Sequence, residues 1–133
     1  MISNSDLKYL RRCVELARTA LEKGDHTQHP EFALARWAAA NMTRSERSKA
    51  TVYTSGEHCP MCAAAHGWVG LGRIVYASSS KQLVQWLDEM GVPPSRVRNL
   101  PIQEVIRDSI IDGPVPELEE EMRQLHRQFY KRV

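Results

Sequence analysis

Two short apolar runs, each followed at once by a helical pattern, are the feature that most constrains how this chain can fold. The runs are ATVYTS (residues 50–55) and RIVYASS (73–79), and both are rich in residues that favour strands. A helical segment through MCAAAHGWVG lies between them. Strands joined by a crossover helix are parallel, with helices packed on both faces of the sheet. The sequence therefore predicts a three-layer α/β/α fold.

Helical periodicity predicts the elements around this sheet. Apolar residues recur at three- and four-residue steps over residues 5–23, and Gly24 is placed to end that helix. Other helices are predicted from Pro30 onward, over KQLVQWLDEMG, and over residues 115–133. A third strand is predicted near residues 97–104, parallel to the second because a helix joins them. No linker divides the chain, so residues 1–133 are expected to form a single domain.

Charge and composition restrict the classes of partner. The formal net charge of +2 is too small to indicate a nucleic-acid surface by itself. No apolar run approaches the roughly 20 residues of a membrane helix, and the start MISNSDLKYLRR is charged too early for a secretory signal. An odd number of cysteines without an export signal argues against disulfides. We expect a cytoplasmic protein that binds neither membranes nor nucleic acid.

The stretch TSGEHCPMC (54–62) places Cys59 and Cys62 directly after the first predicted strand, where a helix begins. One interpretation is a redox dithiol of the thioredoxin type, because a helix N-terminus lowers the pKa of a thiol. A second is a structural zinc site, which needs four protein ligands. The chain has no second C-x-x-C pair and no finger-type histidine pair, and Cys13 is most simply a small core residue.

A third interpretation is a catalytic zinc site, which takes three protein ligands and keeps a fourth position for water. Cys59 and Cys62 lie one helical turn apart, so both sulfurs can face one point. His29, at the start of the preceding helix, would be the third ligand, and Glu31 would reach the bound water without binding the metal. Each signal is weak alone. His29 and the cysteine pair each lie at the start of a predicted helix, and the cysteine pair also follows a predicted strand. Their combination therefore favours this interpretation.

The motifs HPE (29–31) and VYTSGEHCPMCAAAHGW (52–68) resemble the cytidine deaminase superfamily. The resemblance is strongest to a bacterial branch that contains guanine and other nucleobase deaminases, ammeline-type deaminases and tRNA adenosine deaminases. It continues through RIVYASS and covers most of the chain from about Gly24 onward.

This resemblance implies that His29, Cys59 and Cys62 bind Zn²⁺ and that Glu31 shuttles protons. Trp68 falls where guanine deaminases of this branch place a tryptophan beside the substrate, although a core aromatic is the alternative. The implied activity is hydrolytic deamination of a free nucleobase or related aminated ring, of the guanine, ammeline or cytosine type, by a homodimer. The alternatives are tRNA adenosine deamination and a non-catalytic zinc-binding remnant of the fold.

The sequence departs from the family pattern at two places. His58 precedes the first cysteine where the family usually has proline, either as an extra polar group at the mouth of the site or as a harmless substitution.

The larger departure is LEKGDHTQHPE, which leaves no room between the first helix and His29 for the family's N-terminal β-hairpin. Without this hairpin we expect residues 51–55 to form an exposed sheet edge or to pair with another chain. The pocket beside Glu31 should be open on that side, and deamination should be weak.

Overall fold

The structure is a computed structural model that describes residues 2–22 and 29–131. Its helices and strands are, in chain order, α1 (Asn4–Glu22), α2 (Pro30–Asn41), α3 (Arg44–Lys49), β1 (Val52–Gly56), α4 (Pro60–Val69), β2 (Ile74–Ser78), α5 (Ser80–Glu89), β3 (Ile111–Asp112) and α6 (Glu119–Lys131). Two 3₁₀ turns, Ile102–Glu104 and Pro116–Leu118, flank β3 along the chain. None of the described helices is both long and apolar enough to cross a membrane.

The strands form one parallel sheet in the order β1-β2-β3. Val52 of β1 lies opposite Ile74 of β2, which in turn lies opposite Ile111 of β3. Every residue of β2 is buried because helices cover both faces of this central strand. The predicted three-layer α/β/α fold is therefore confirmed.

Alternate residues of the strands face opposite helical layers, as the two-residue period of a strand requires. On one face, Val75 and Ala77 share a core with α1, α5 and α6. On the other face, Val52 contacts α2, and Ile74 packs with α4 and the turn at 102–104. The residues that complete the first core are all buried: Leu10, Val14, Trp86, Val115, Leu118, Met122 and Leu125.

The prediction of a third strand near residues 97–104 is wrong. Proline has no N–H to donate to a strand ladder, and Pro101 here precedes the 3₁₀ turn Ile102–Glu104. Ile102 is 0% exposed, so the apolar signal of this segment comes from a turn that buries this one side chain. The third strand is the two-residue β3, which is parallel to β2 as expected.

Two further differences concern the region around α2. Helix α3 was not predicted, although Thr43 and Glu46 form a capping box that marks its start.

The missing hairpin was inferred from residues 24–29. Residues 24–28 lie outside the described part of the chain, and the predicted helix end at Gly24 is one of them. Among the described strands, β1 pairs only with β2, so one of its edges carries no strand there.

A buried carboxylate joins α1 to the sheet. Asp6 is 4% exposed and accepts hydrogen bonds from Arg73 at 2.9 and 3.0 Å and from the Tyr53 hydroxyl at 2.7 Å. Arg73 also donates to Asp112 of β3 at 2.9 Å. Hydrogen bonding to Arg73, more than any other contact, holds the pKa of Asp6 well below its ordinary value. The network thus fixes the first helix against β1 and the strand ends.

Replacing Asp6 by asparagine is expected to lower the free energy of unfolding at pH 7 by about 2–4 kcal/mol, because a largely buried Arg73 loses one of its two described carboxylate partners and keeps Asp112. The folded-state pKa of Asp6 is depressed, so its contribution is fully present above the unfolded pKa of about 3.9 and is lost as pH falls through and below that value. Urea unfolding between pH 7 and pH 2 should therefore show a steeper acid loss for the wild type than for Asp6→Asn. Glu15→Gln, which breaks an exposed pair with Arg12, is the control and should change little.

Candidate functional site

The amino termini of two helices meet at the carboxyl edge of the sheet. His29 is the residue before α2, and Cys59 is the residue before α4, with Cys62 in the first turn of α4. Pro30 and Pro60 each occupy the first helical position, where the missing N–H costs nothing. Because β1 ends at Gly56, only two residues, Glu57 and His58, separate the strand from Cys59. The short connection after β1 therefore places both cysteines at the strand end. Packing of α2 against α4 places His29 next to them.

The three ligand atoms converge on one point. The Sγ atoms of Cys59 and Cys62 lie 3.4 Å apart, and they are 3.7 and 3.5 Å from Nδ1 of His29. Tetrahedral zinc with bonds of about 2.3 Å to sulfur and 2.0–2.1 Å to nitrogen separates its ligand atoms by about 3.5–3.8 Å. The donor set and its spacing therefore fit Zn²⁺. Both cysteines are free thiols, and a simple dithiol site gives no role to the histidine beside them.

The protonation of Cys62 depends on whether a cation is bound beside it. Cys62 is 0% exposed, and burial, followed by the hydrogen bond with Cys59, raises the pKa of Cys62 to about 12. The thiol therefore keeps its proton unless a positive charge stabilises the thiolate. A coordinating metal ion supplies that charge, and its binding releases the proton.

Glu31 lies beside the cluster without belonging to it. The three residues whose ligand atoms converge are His29, Cys59 and Cys62, and Glu31 is not among them. The Thr54 hydroxyl donates to Oε1 of Glu31 at 2.6 Å, so a residue of β1 fixes the orientation of the carboxylate. Thr54 carried no sequence signal, because its role depends on α2 packing over β1.

A cleft of about 1110 Å³ opens beside these residues. His29, Glu31 and Cys59 line one end, and all of β1 contributes to the wall. Leu16 and Trp37 also line the cleft and are 52% and 56% exposed. The cleft thus follows the edge of β1 that carries no strand among the described residues.

Cys13 lies in this cleft, although the sequence placed it in the core. It is partly buried on α1, and burial, followed by the negative charge of Glu31, raises the pKa of its thiol. One edge of β1 pairs with no described strand, so α1 faces the cleft there and Cys13 forms part of the cleft wall. The apolar spacing along α1 could not distinguish a core position from one that faces an unfilled space.

Glu57 positions the loop that carries Cys59. Its Oε1 accepts the N–H of Ser80 and its Oε2 the N–H of Ile102, both at 2.8 Å. One carboxylate therefore ties the end of β1 to the start of α5 and to the 3₁₀ turn that follows. No sequence pattern pointed to this residue, because its two partners are distant along the chain.

Two residues singled out in the sequence lie away from the cleft. His58 is 1% exposed and contacts His66 edge-on at 5.4 Å between ring centroids, so it does not stand at the mouth of the site. Neither ring nitrogen of His58 has a hydrogen-bond partner within the described structure, and burial lowers its pKa to about 3. Trp68 is 89% exposed on α4 and is not part of the described cleft wall. Its contact with substrate stays a prediction.

Comparison with known proteins gives two relatives. A probable cytosine deaminase of Schizosaccharomyces pombe is 27% identical over 119 residues, covering 70% of this chain and 72% of the relative. A tRNA(Ile)-lysidine synthase of Deinococcus radiodurans is 39% identical over 62 residues, which cover 47% of this chain but only 11% of that protein. No family model matches the chain. The first relative, together with the His/Cys/Cys cluster, supports a place in the cytidine deaminase-like superfamily, whose deaminases use zinc.

Proposed function

We propose that this protein is a zinc-dependent hydrolytic deaminase of a free nucleobase or related aminated ring, of the cytosine, guanine or ammeline type. The observation that carries the proposal is the convergence of the His29, Cys59 and Cys62 ligand atoms beside a carboxylate, Glu31, that is not a ligand. Zinc held in such a site activates water as a nucleophile near neutral pH. The name of the S. pombe relative supports a ring amine as the target.

The proton transfers and the stabilisation of charge are assigned to residues of this chain. Thr54 holds Oε1 of Glu31, which leaves Oε2 to accept a proton from the attacking water. Glu31 delivers this proton to the ring nitrogen. It then takes a second proton from the hydroxyl that has added to the ring carbon and passes it to the amine, which departs as ammonia while the hydroxyl oxygen becomes the carbonyl of the product. Backbone N–H groups near Cys59 stabilise the charge that develops during attack.

A non-catalytic zinc-binding protein is the second candidate, favoured by the breadth of the cleft along β1. Ammonia release from cytosine, guanine, adenine, ammeline and their nucleosides, measured with zinc-loaded protein, separates the two. Release from at least one ring supports the deaminase. Full zinc occupancy without release from any of these rings, from a ring that carries an apolar substituent or from a tRNA substrate would establish the non-catalytic alternative. Turnover only on a tRNA substrate would favour tRNA adenosine deamination.

We also propose that two copies associate through the outer face of α2 and α4. Both helices are apolar around most of their circumference, and Trp37, Met61 and Trp68 are 56%, 48% and 89% exposed. Apolar surface of this kind is typical of an interface between subunits. We expect light scattering to give a dimer, and Trp68→Glu to shift it to monomer by placing a charge in the contact. A wild-type monomer at assay concentration would contradict this, and Ile110→Glu, at another exposed apolar position, is the control.

A further inference from the structure

The cleft is much larger than the ring that the proposed reaction needs. Its volume of about 1110 Å³ exceeds the range of about 300–1,000 Å³ that holds drug-sized ligands. A single pyrimidine or purine placed against Glu31 and the metal ligands would fill only one end. The remainder of the cleft is therefore available to another part of the same ligand.

The remainder of the cleft is largely apolar, although His126 and the serines 78–80 also line it. Beyond the end at Glu31, it continues between α1, α5 and α6, where Leu16, Leu83, Leu125 and Phe129 contribute to its wall. Leu16 is 52% exposed there. A ligand that covered this surface would gain the free energy of removing it from water. We call these four residues the apolar end of the cleft.

The charges of the cleft argue against an anionic ligand. Neither lysine nor arginine is part of its described wall, whereas Glu31 and Glu57 are. The start of α5 is a natural position for a phosphate group, but the N–H of Ser80 is already bound by Glu57 and that of Gln82 by the Ser79 hydroxyl. A phosphate at this edge of the sheet would meet a carboxylate and occupied N–H groups.

We infer that the substrate is an uncharged aminated ring carrying an apolar or aromatic substituent, with the ring at Glu31 and the substituent in the apolar end of the cleft. This inference rests on the proposed deaminase function and adds the class of substrate to it. A bare base is expected to bind less well because it leaves the apolar end of the cleft uncovered. Nucleotides and RNA are expected to bind less well because they carry phosphate groups.

Ligands without an exocyclic amine test the inference by binding alone. Zinc-loaded protein is titrated by calorimetry with pyrimidin-2-one, 1-benzylpyrimidin-2-one and its 4-carboxybenzyl analogue. We expect the benzyl compound to bind at least about tenfold more tightly than the bare ring, because the phenyl group covers apolar surface. The carboxylate should remove most of that gain. Equal affinity for the bare and benzyl rings, tighter binding of the carboxylate, or no binding of either neutral ring would each overturn the inference.

A variant and its control locate the substituent. Leu16→Ser should reduce the benzyl-to-bare affinity ratio several-fold, whereas Ile110→Ser, at an exposed apolar position outside the described cleft wall, should leave the ratio unchanged. An unchanged ratio in Leu16→Ser would contradict the assignment. Benzyl affinity that falls as protein concentration rises would show that a second copy occupies the cleft instead. Ammonia release from the base panel and from 1-benzylcytosine tests the deaminase proposal separately, so failure of either is distinguishable.

Discussion

Glu31→Gln is expected to abolish turnover while leaving zinc and the fold in place. The amide cannot accept the proton of the attacking water, and it cannot protonate the ring or the departing amine. General acid–base catalysis contributes typically about 10²–10⁴-fold, and a group used in several proton transfers should reach the upper end of that range. The measurement is kcat for ammonia release on whichever ring the wild type deaminates, with zinc content determined on the same samples.

The matched control for this substitution is Glu117→Gln, which makes the same chemical change at an exposed position outside the described cleft wall. It should keep wild-type kcat. Near-normal deamination by Glu31→Gln would show that another group moves the proton. A loss of zinc in Glu31→Gln would show instead that the carboxylate holds the metal, which the convergence of only His29, Cys59 and Cys62 argues against.

Cys62→Ser is expected to reduce zinc from one ion per chain to a small fraction after dialysis against a chelator. Changes to groups that only orient a ligand already lower metal affinity about 10–100-fold, so loss of a ligand itself should exceed that range. Because Cys62 is fully buried, Cys59→Ser, at a less buried position, is measured beside it. Elemental analysis gives the metal content, and circular dichroism shows that each variant is folded.

Cys13→Ser is the control for these thiol substitutions, since Cys13 lies in the same cleft but outside the ligand cluster. It should retain full zinc. Full occupancy in Cys62→Ser would contradict the metal site. A metal-free wild type that forms a Cys59–Cys62 disulfide under mild oxidation would instead establish the redox interpretation.

The features of this protein that could be predicted from its sequence are those encoded by short local patterns. The parallel arrangement of β1 and β2 followed from two apolar runs separated by a helix, and the C-x-x-C spacing placed both thiols at one helix start. The HPE motif placed His29 and Glu31 at the start of another helix. These features depend on contacts between residues a few positions apart, which is why short patterns are sufficient to predict them.

The features that could not be predicted depend on contacts between segments that are distant along the chain. Pro101 and Ile102 lie in a segment that the sequence predicts to be a strand, but Glu57 accepts the Ile102 N–H and the segment forms a 3₁₀ turn in which Ile102 is buried. Thr54 contacts Glu31 only because α2 packs over β1, and Cys13 lines the cleft only because no described strand fills the space beside β1. Such pairings are set by packing in three dimensions, where one sequence pattern is compatible with several partners, so the periodicity of a single chain could not select among them.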